Sequence, residues 1–72
     1  MDKTHLEATL AQVEHHVVRG EMNVSRQREI VAQKIRLGVD HTLSAALLET
    51  FEMLLSEHRA HRNQLLRALG AA

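Results

Sequence analysis

The chain has 72 residues, of which nine are basic and nine acidic, and it contains no cysteine, proline, tryptophan or tyrosine. This length allows one small domain over residues 1–72, and without cysteine there can be no disulfide, thiolate metal ligand or thiol nucleophile. The balanced charge argues against a nucleic-acid binder that relies on net positive charge. No apolar run approaches the roughly 20 residues of a membrane span, and the N-terminus lacks a signal-peptide core, so we expect a cytoplasmic protein that does not contact membranes.

Residues 4–37 form the first predicted helix. Positions on its expected buried face recur in steps of mostly four and three residues, as helical periodicity requires. These positions are Leu6, Leu10, Val13, Val17, Gly20, Val24, Gln27, Val31 and Ile35. Gly20, Gln27 and Lys34 are poor residues for such a face, and a break at Gly20 is one alternative. A single interior glycine costs only about 1 kcal/mol, so we predict a continuous helix with a possible kink near Gly20.

A tight turn at residues 38–41 and a second helix over residues 42–69 follow. Asp40 and Thr42 are competent N-caps, and Gly70 can end the helix. The main apolar stripe of this helix comprises Leu47, Phe51, Leu54, His58, His61, Leu65 and Ala68. The stripe is widened on one side by Leu48, Leu55, Leu66 and Leu69. A stripe of this width is typical of a helix that packs on more than one neighbour.

The order of charges favours an antiparallel arrangement of the two helices. Each helix is acidic in its N-terminal half and basic in its C-terminal half, so an antiparallel pair would set the segment Arg26–Arg36 level with Glu49 and Glu52. We therefore predict an all-α fold, a long antiparallel helical hairpin that dimerises into a four-helix bundle. The expected dimer or partner interface consists of Leu48, Leu55, Leu66, Leu69, Phe51 and His58.

Residues 10–69 contain several short motifs that can be compared with those of other small helical proteins. They are Gly20-Glu21, Arg26-Gln27 with Ile30-Val31, Gly38-x-Asp40, Leu47-Leu48-x-x-Phe51-Glu52, and His58 followed by Arg62 and Leu65-Leu66. In these features the chain resembles a group of small, uncharacterised helical proteins of rhizobial and related alphaproteobacteria. The resemblance implies a bacterial cytoplasmic setting and no particular activity. Asn23 stands where a histidine is expected in such sequences.

Histidines offer the one candidate for metal chemistry. His58 and His61 share a helix face, and in a hairpin they would lie near the level of His16 and Glu21. Two imidazoles with a carboxylate could hold zinc, but neither Glu-x-x-His nor His-Glu-x-x-His occurs. The alternative, which we favour, is that His58 belongs to the core and His61 to its rim. We therefore expect no bound metal and no cofactor.

Catalytic motifs are missing from the sequence, so we do not expect an enzyme. The serines lack a glycine elbow, and the isolated glycines form no phosphate-binding loop. The favoured function is a small structural or protein-interaction module, a homodimeric bundle that binds a protein partner. One alternative is a nucleic-acid-binding regulator that uses the basic segment Arg26–Arg36. A second alternative is a histidine-based metal-binding or sensing protein.

Overall fold

Two α-helices pack side by side as an antiparallel hairpin in a computed structural model, which describes residues 2–71. α1 spans Lys3–Leu37 and α2 spans Thr42–Ala71. The hairpin is 53 Å long and 14 Å across in the two other directions. The predicted all-helical hairpin is thereby confirmed, and α1 passes through Gly20 without interruption. Gly70 was expected to end the second helix but lies within α2. Neither helix, over the residues described, is long and apolar enough to cross a membrane.

A glycine in the left-handed conformation ends α1. Gly38 has φ 69° and ψ 23°, and its N–H donates to the Ile35 carbonyl at 3.1 Å. The N–H of Val39 donates to the Lys34 carbonyl, also at 3.1 Å. These two bonds form a Schellman motif, which satisfies carbonyls that the end of a helix leaves without partners. The chain therefore reverses at Gly38 because glycine adopts this backbone conformation without steric cost.

Asp40 fixes the start of α2. Its Oδ1 accepts hydrogen bonds from the Thr42 N–H at 3.0 Å and from the Thr42 hydroxyl at 2.8 Å. The backbone bond and then the hydroxyl bond stabilise the carboxylate, and they hold the pKa of Asp40 below its ordinary value. At the other end of the molecule, Asp2 caps α1 by accepting from the N–H of His5 at 2.7 Å.

The contact line between the helices, which we call the seam, follows the predicted face of α1. Its buried residues are Leu6, Val13, Val17, Val24 and Gln27. The prediction is wrong only at the C-terminal end of the face, where Ile35 is 55% exposed and Lys34 is half-buried. Lys34 follows the four-three rhythm from Val31 and so turns toward α2, whereas Ile35 turns away.

On α2 the seam is rotated from the predicted main stripe toward the side of Leu48 and Leu55, the leucines that widen this stripe. Leu55 is 6% exposed, whereas Leu47 and Leu54 are 44% and 41% exposed. The seam of α2 comprises Ser44, Leu48, Phe51, Leu55, His58, Arg62, Leu65 and Leu69, all buried or half-buried. The rotation arises because the apolar stripe is two residues wide, and periodicity alone does not decide which edge of it meets α1.

The core consists of two small clusters along the seam. The first contains Leu6, Val13 and Leu65, with Leu10 and Leu69 packed against it. The second contains Val17, Val24 and Leu55, with Leu48 and Phe51 packed against it. No side chain that the structure describes is fully enclosed. The hairpin therefore has a core one layer thick and open on both sides, which is a weak core for a chain of this size.

Candidate functional site

Three residues that interrupt the apolar face of α1 each meet a particular residue of α2. A Cβ placed on Gly20 would lie 3.1 Å from Leu55 Cδ1, so the missing side chain makes room for this leucine. The buried Gln27 donates from Nε2 to the Ser44 carbonyl at 2.9 Å, and Lys34 Nζ donates to the Ser44 hydroxyl at 2.7 Å. These contacts set the rotation and register of α2 against α1.

Because the core is one layer thick, the hairpin has two long sides, and they differ in chemistry. We call the first the groove face. Two shallow depressions run along it, lined by His16, Asn23, Ile30, Leu47, Phe51, Leu54 and His58, with Arg19 and Arg26 at the edge formed by α1. The depression nearest the turn contains Ile30 and Leu47 beside Arg26 and Gln27, whereas Leu54 lines the other depression with the two histidines, nearer the middle of the molecule.

The opposite side, which we call the charged face, carries acidic residues of α1 and basic residues of both helices. Its depressions are lined by Glu14, Glu21, Arg28, Arg59 and Arg62 together with Val17, Val18, Val24, Ser25 and Leu55. Arg59 Nη2 lies 3.1 Å from Glu21 Oε2, with both side chains about half exposed. An exposed ion pair of this kind contributes about 0–1 kcal/mol to the stability of the fold. Glu21, one of the candidate metal ligands, is thus paired with an arginine.

The basic segment Arg26–Arg36 does not pair with Glu49 and Glu52 as its level in the hairpin suggested. Within residues 2–71, the ion pairs closer than 4 Å are Lys3–Glu7 and Arg59–Glu21. Lys34 binds the Ser44 hydroxyl, Arg26 borders the groove face and Arg28 lines the charged face. The basic side chains of this segment are therefore distributed over different sides of the molecule.

Residues predicted to form the dimer interface fall into three groups. Leu48, Leu55 and Leu69 pack against α1 within the hairpin, Leu55 buried and the other two half-buried. Phe51 and His58 are half-buried and also line the groove face. Leu66 is 47% exposed, but it lies two helical turns after Arg59 and hence on the side of the charged face. The exposed leucines of the groove face are instead Leu47 and Leu54.

A second exposed apolar cluster surrounds the turn. It consists of Ile35, Leu37, Val39 and Leu43, of which Leu43 is 85% exposed. We call this cluster the closed-end patch. The sequence did not predict this surface: Ile35 was expected on the buried face of α1, and no surface role was expected for Leu37, Val39 or Leu43 at the helix ends and in the turn.

The candidate metal residues are brought together only in part. The rings of His16 and His58 stack, with centroids 5.2 Å apart and planes at 21°. His58 was expected in the core but is half-buried beside the groove, and His61 is exposed. Among the described residues, no three or more histidine, aspartate or glutamate side chains converge as a metal site would require. The cross-helix pair of His16 with His58 replaces the pair of His58 with His61 that spacing along the chain suggested.

No protein-family model, curated protein or solved structure matches this chain.

Proposed function

We propose that the chain is a protein-interaction module that acts as a homodimer, in which two groove faces pack together as a four-helix bundle. The observation that supports this most directly is the difference between the two sides of the hairpin. One side exposes Leu47 and Leu54 beside the half-buried Phe51, whereas the other exposes the Arg59–Glu21 ion pair together with Val18 and Leu66 as separate apolar side chains. A core one layer thick gains a second layer when the apolar sides of two copies meet.

The exposed area of the hairpin is consistent with one missing neighbour. A compact monomer of 8.1 kDa is expected to expose about 4,500 Å², whereas this chain exposes 5,415 Å². The excess, roughly 900 Å², is close to the roughly 800 Å² that each partner buries in a standard interface. Fully burying an exposed leucine contributes about 1.5–3 kcal/mol. Leu47 and Leu54 are 44% and 41% exposed in the hairpin, so burying the rest of each would contribute somewhat under half of that amount, on both copies.

Two symmetric arrangements bring the groove faces together, and the chemistry favours one of them. If both turns lie at the same end, α1 of one copy packs on α2 of the other, and the turn-side depressions that contain Ile30 and Leu47 coincide. Arg19, at the α1 edge of one groove, then comes to the level of Glu57 at the α2 edge of the other, because His16 lies level with His58 and Gly20 with Leu55. The opposite arrangement would set the arginine-bearing edges of the two α1 helices against each other, which is less favourable.

The partner proteins of such a dimer would use the closed-end patch. With both turns at one end, the four exposed residues Ile35, Leu37, Val39 and Leu43 of each copy form a double apolar surface outside the bundle. Exposed apolar clusters of this kind mark protein-binding sites. We place this activity in the bacterial cytoplasm, following the resemblance to small alphaproteobacterial proteins.

Light scattering of the purified chain tests the dimer, and two adjacent residues provide a matched comparison. Leu54→Glu puts a charge in the groove face, whereas Met53→Glu puts the same charge on a neighbouring position that is 57% exposed outside it. We expect twice the chain mass for the original protein and for Met53→Glu, and a shift to the monomer for Leu54→Glu at the same concentration. A monomeric original chain, or equal behaviour of the two variants, would contradict the proposal.

A further inference from the structure

His16 and His58 meet halfway along the hairpin, on the side that the proposed dimer buries. Their ring centroids are 5.2 Å apart, and their rings make no hydrogen bond with any described residue. Two imidazoles that bind one tetrahedral zinc ion through bonds of 2.0–2.1 Å have centroids about 5 Å apart. The pair, held by two different helices, therefore has the separation of half a tetrahedral site. Because the two rings stack with planes at 21°, the exposed His16 ring must turn about its side-chain bonds so that one nitrogen of each ring points at the same ion.

A second copy would supply the other half. When both turns lie at the same end, residues at one level of the hairpin meet the same level of the other copy, because the two-fold axis runs along the bundle. α1 of one copy faces α2 of the other, so each His16 faces the His58 of the opposite copy. Four imidazoles thus surround the axis at one layer, as ligands do in metal sites built inside helical bundles.

Burial in the dimer would also remove the water that hydrogen-bonds to the ring nitrogens of His16 and His58. His16 is exposed in the single hairpin and His58 is half-buried, so water solvates their ring nitrogens. Closing the interface removes that water, and polar groups buried without a partner cost free energy. Asn23 and Arg19 line the same depression, but one amide and one guanidinium for each copy do not supply a partner to every ring nitrogen. Imidazole nitrogen is a preferred ligand of zinc and of other divalent transition metals.

From this geometry we infer that the homodimer binds one divalent transition-metal ion between the copies, through His16 and His58 of each. This inference depends on the proposed dimer, because one hairpin supplies only two of the four ligands. The ion would join α1 and α2 within each copy and the two copies to each other, so metal supply would control the assembly of the module.

Zinc titration of the chain, purified without a histidine tag, tests the site, and three other histidines serve as controls. We expect one zinc ion per two chains, a raised melting temperature, and at least a tenfold loss of zinc affinity in His16→Gln and in His58→Gln. His15→Gln, next to His16 but about 100° away around the helix, and His61→Gln and His5→Gln should keep the affinity of the original chain. Cobalt in place of zinc should show the visible absorption of a tetrahedral ion.

Light scattering in the presence of a chelator separates this inference from the dimer itself. A dimer that forms in chelator but binds no stoichiometric zinc would overturn the metal site and leave the dimer standing. Equal losses in the His15 and His58 variants would also overturn it, because they would indicate scattered surface binding. A chain that stays monomeric with and without zinc would overturn both proposals, whereas a monomer that zinc converts to a dimer supports the metal site.

Discussion

At Gly20 the side chain of Leu55 packs against α1. Alanine at this position should gain about 1 kcal/mol of helix propensity, but its Cβ would lie 3.1 Å from Leu55 Cδ1, which must then move. We expect Gly20→Ala to raise the free energy of unfolding by about 1 kcal/mol in a Leu55→Ala background and by clearly less, or not at all, in the original chain. Urea unfolding of the four variants measures this coupling, and equal effects in both backgrounds would show that Leu55 does not limit the site.

Lys34 is half-buried on the seam, where its Nζ donates to the Ser44 hydroxyl at 2.7 Å. Removal of either partner should cost stability, and removal of both should cost less than the sum. We expect a coupling of about 1 kcal/mol between Lys34→Met and Ser44→Ala in a double-mutant cycle. Arg36→Met, an exposed position two residues along, is the matched control and should show no coupling with Ser44→Ala.

At the scale of the helices, the end of α1 depends on the left-handed conformation of Gly38. A Cβ there would meet no atom within 4 Å, so substitution is opposed by backbone conformation alone. We expect Gly38→Ala to lower the free energy of unfolding by about 1–2 kcal/mol and Gly38→Asn to lower it by less, since asparagine tolerates this conformation better. Chemical denaturation ranks the variants. Gly70→Ala, inside α2 with open space around it, should not destabilise, and a similar loss there would refute the conformational explanation.

The start of α2 should make stability depend on pH in the acid range. The two hydrogen bonds from Thr42 lower the pKa of Asp40 in the folded chain relative to the unfolded one. The carboxylate therefore stabilises the fold above its unfolded pKa of about 3.9, and this contribution is lost as the pH falls through the lower folded value. Asp40→Asn keeps an acceptor oxygen but does not titrate. We expect melting curves of the original chain to lose more stability than those of Asp40→Asn between neutral pH and pH 3, and parallel losses would contradict this role.

For the molecule as a whole, the single-layer core and the groove face predict that stability depends on protein concentration. If folding and pairing are linked, the melting temperature should rise with concentration, because association favours the folded state by mass action. Circular dichroism melts over a hundredfold range of concentration should show this rise for the original chain and for Met53→Glu. Leu54→Glu should melt at a temperature that no longer depends on concentration. A constant melting temperature for the original chain would argue that the hairpin is stable alone.

Much of the architecture could be predicted because helical propensity and periodicity act locally. Steps of four and three residues identify the buried face of α1 through Val31, and charge order indicates the antiparallel direction. The placement of Leu55 could not be predicted in the same way, since Leu54 and Leu55 are equally apolar neighbours. Gly20 could have indicated where a large side chain of α2 packs, because a residue without a side chain leaves room for one from the facing helix. The candidate histidines were all named in advance, but their pairing was not.

By itself, then, the sequence determined the two helices, the glycine at which the chain reverses and the antiparallel hairpin, because each depends on residues close together in the chain. Tertiary structure decided how far α2 is rotated, since that depends on contacts between residues far apart, such as Gly20 with Leu55 and Gln27 with Ser44. That rotation buries Leu55 and exposes Leu54, and it separates a groove face from a charged face. It also sets His58 beside His16 across the seam, because side chains on different helices meet only once the rotation of each helix is fixed.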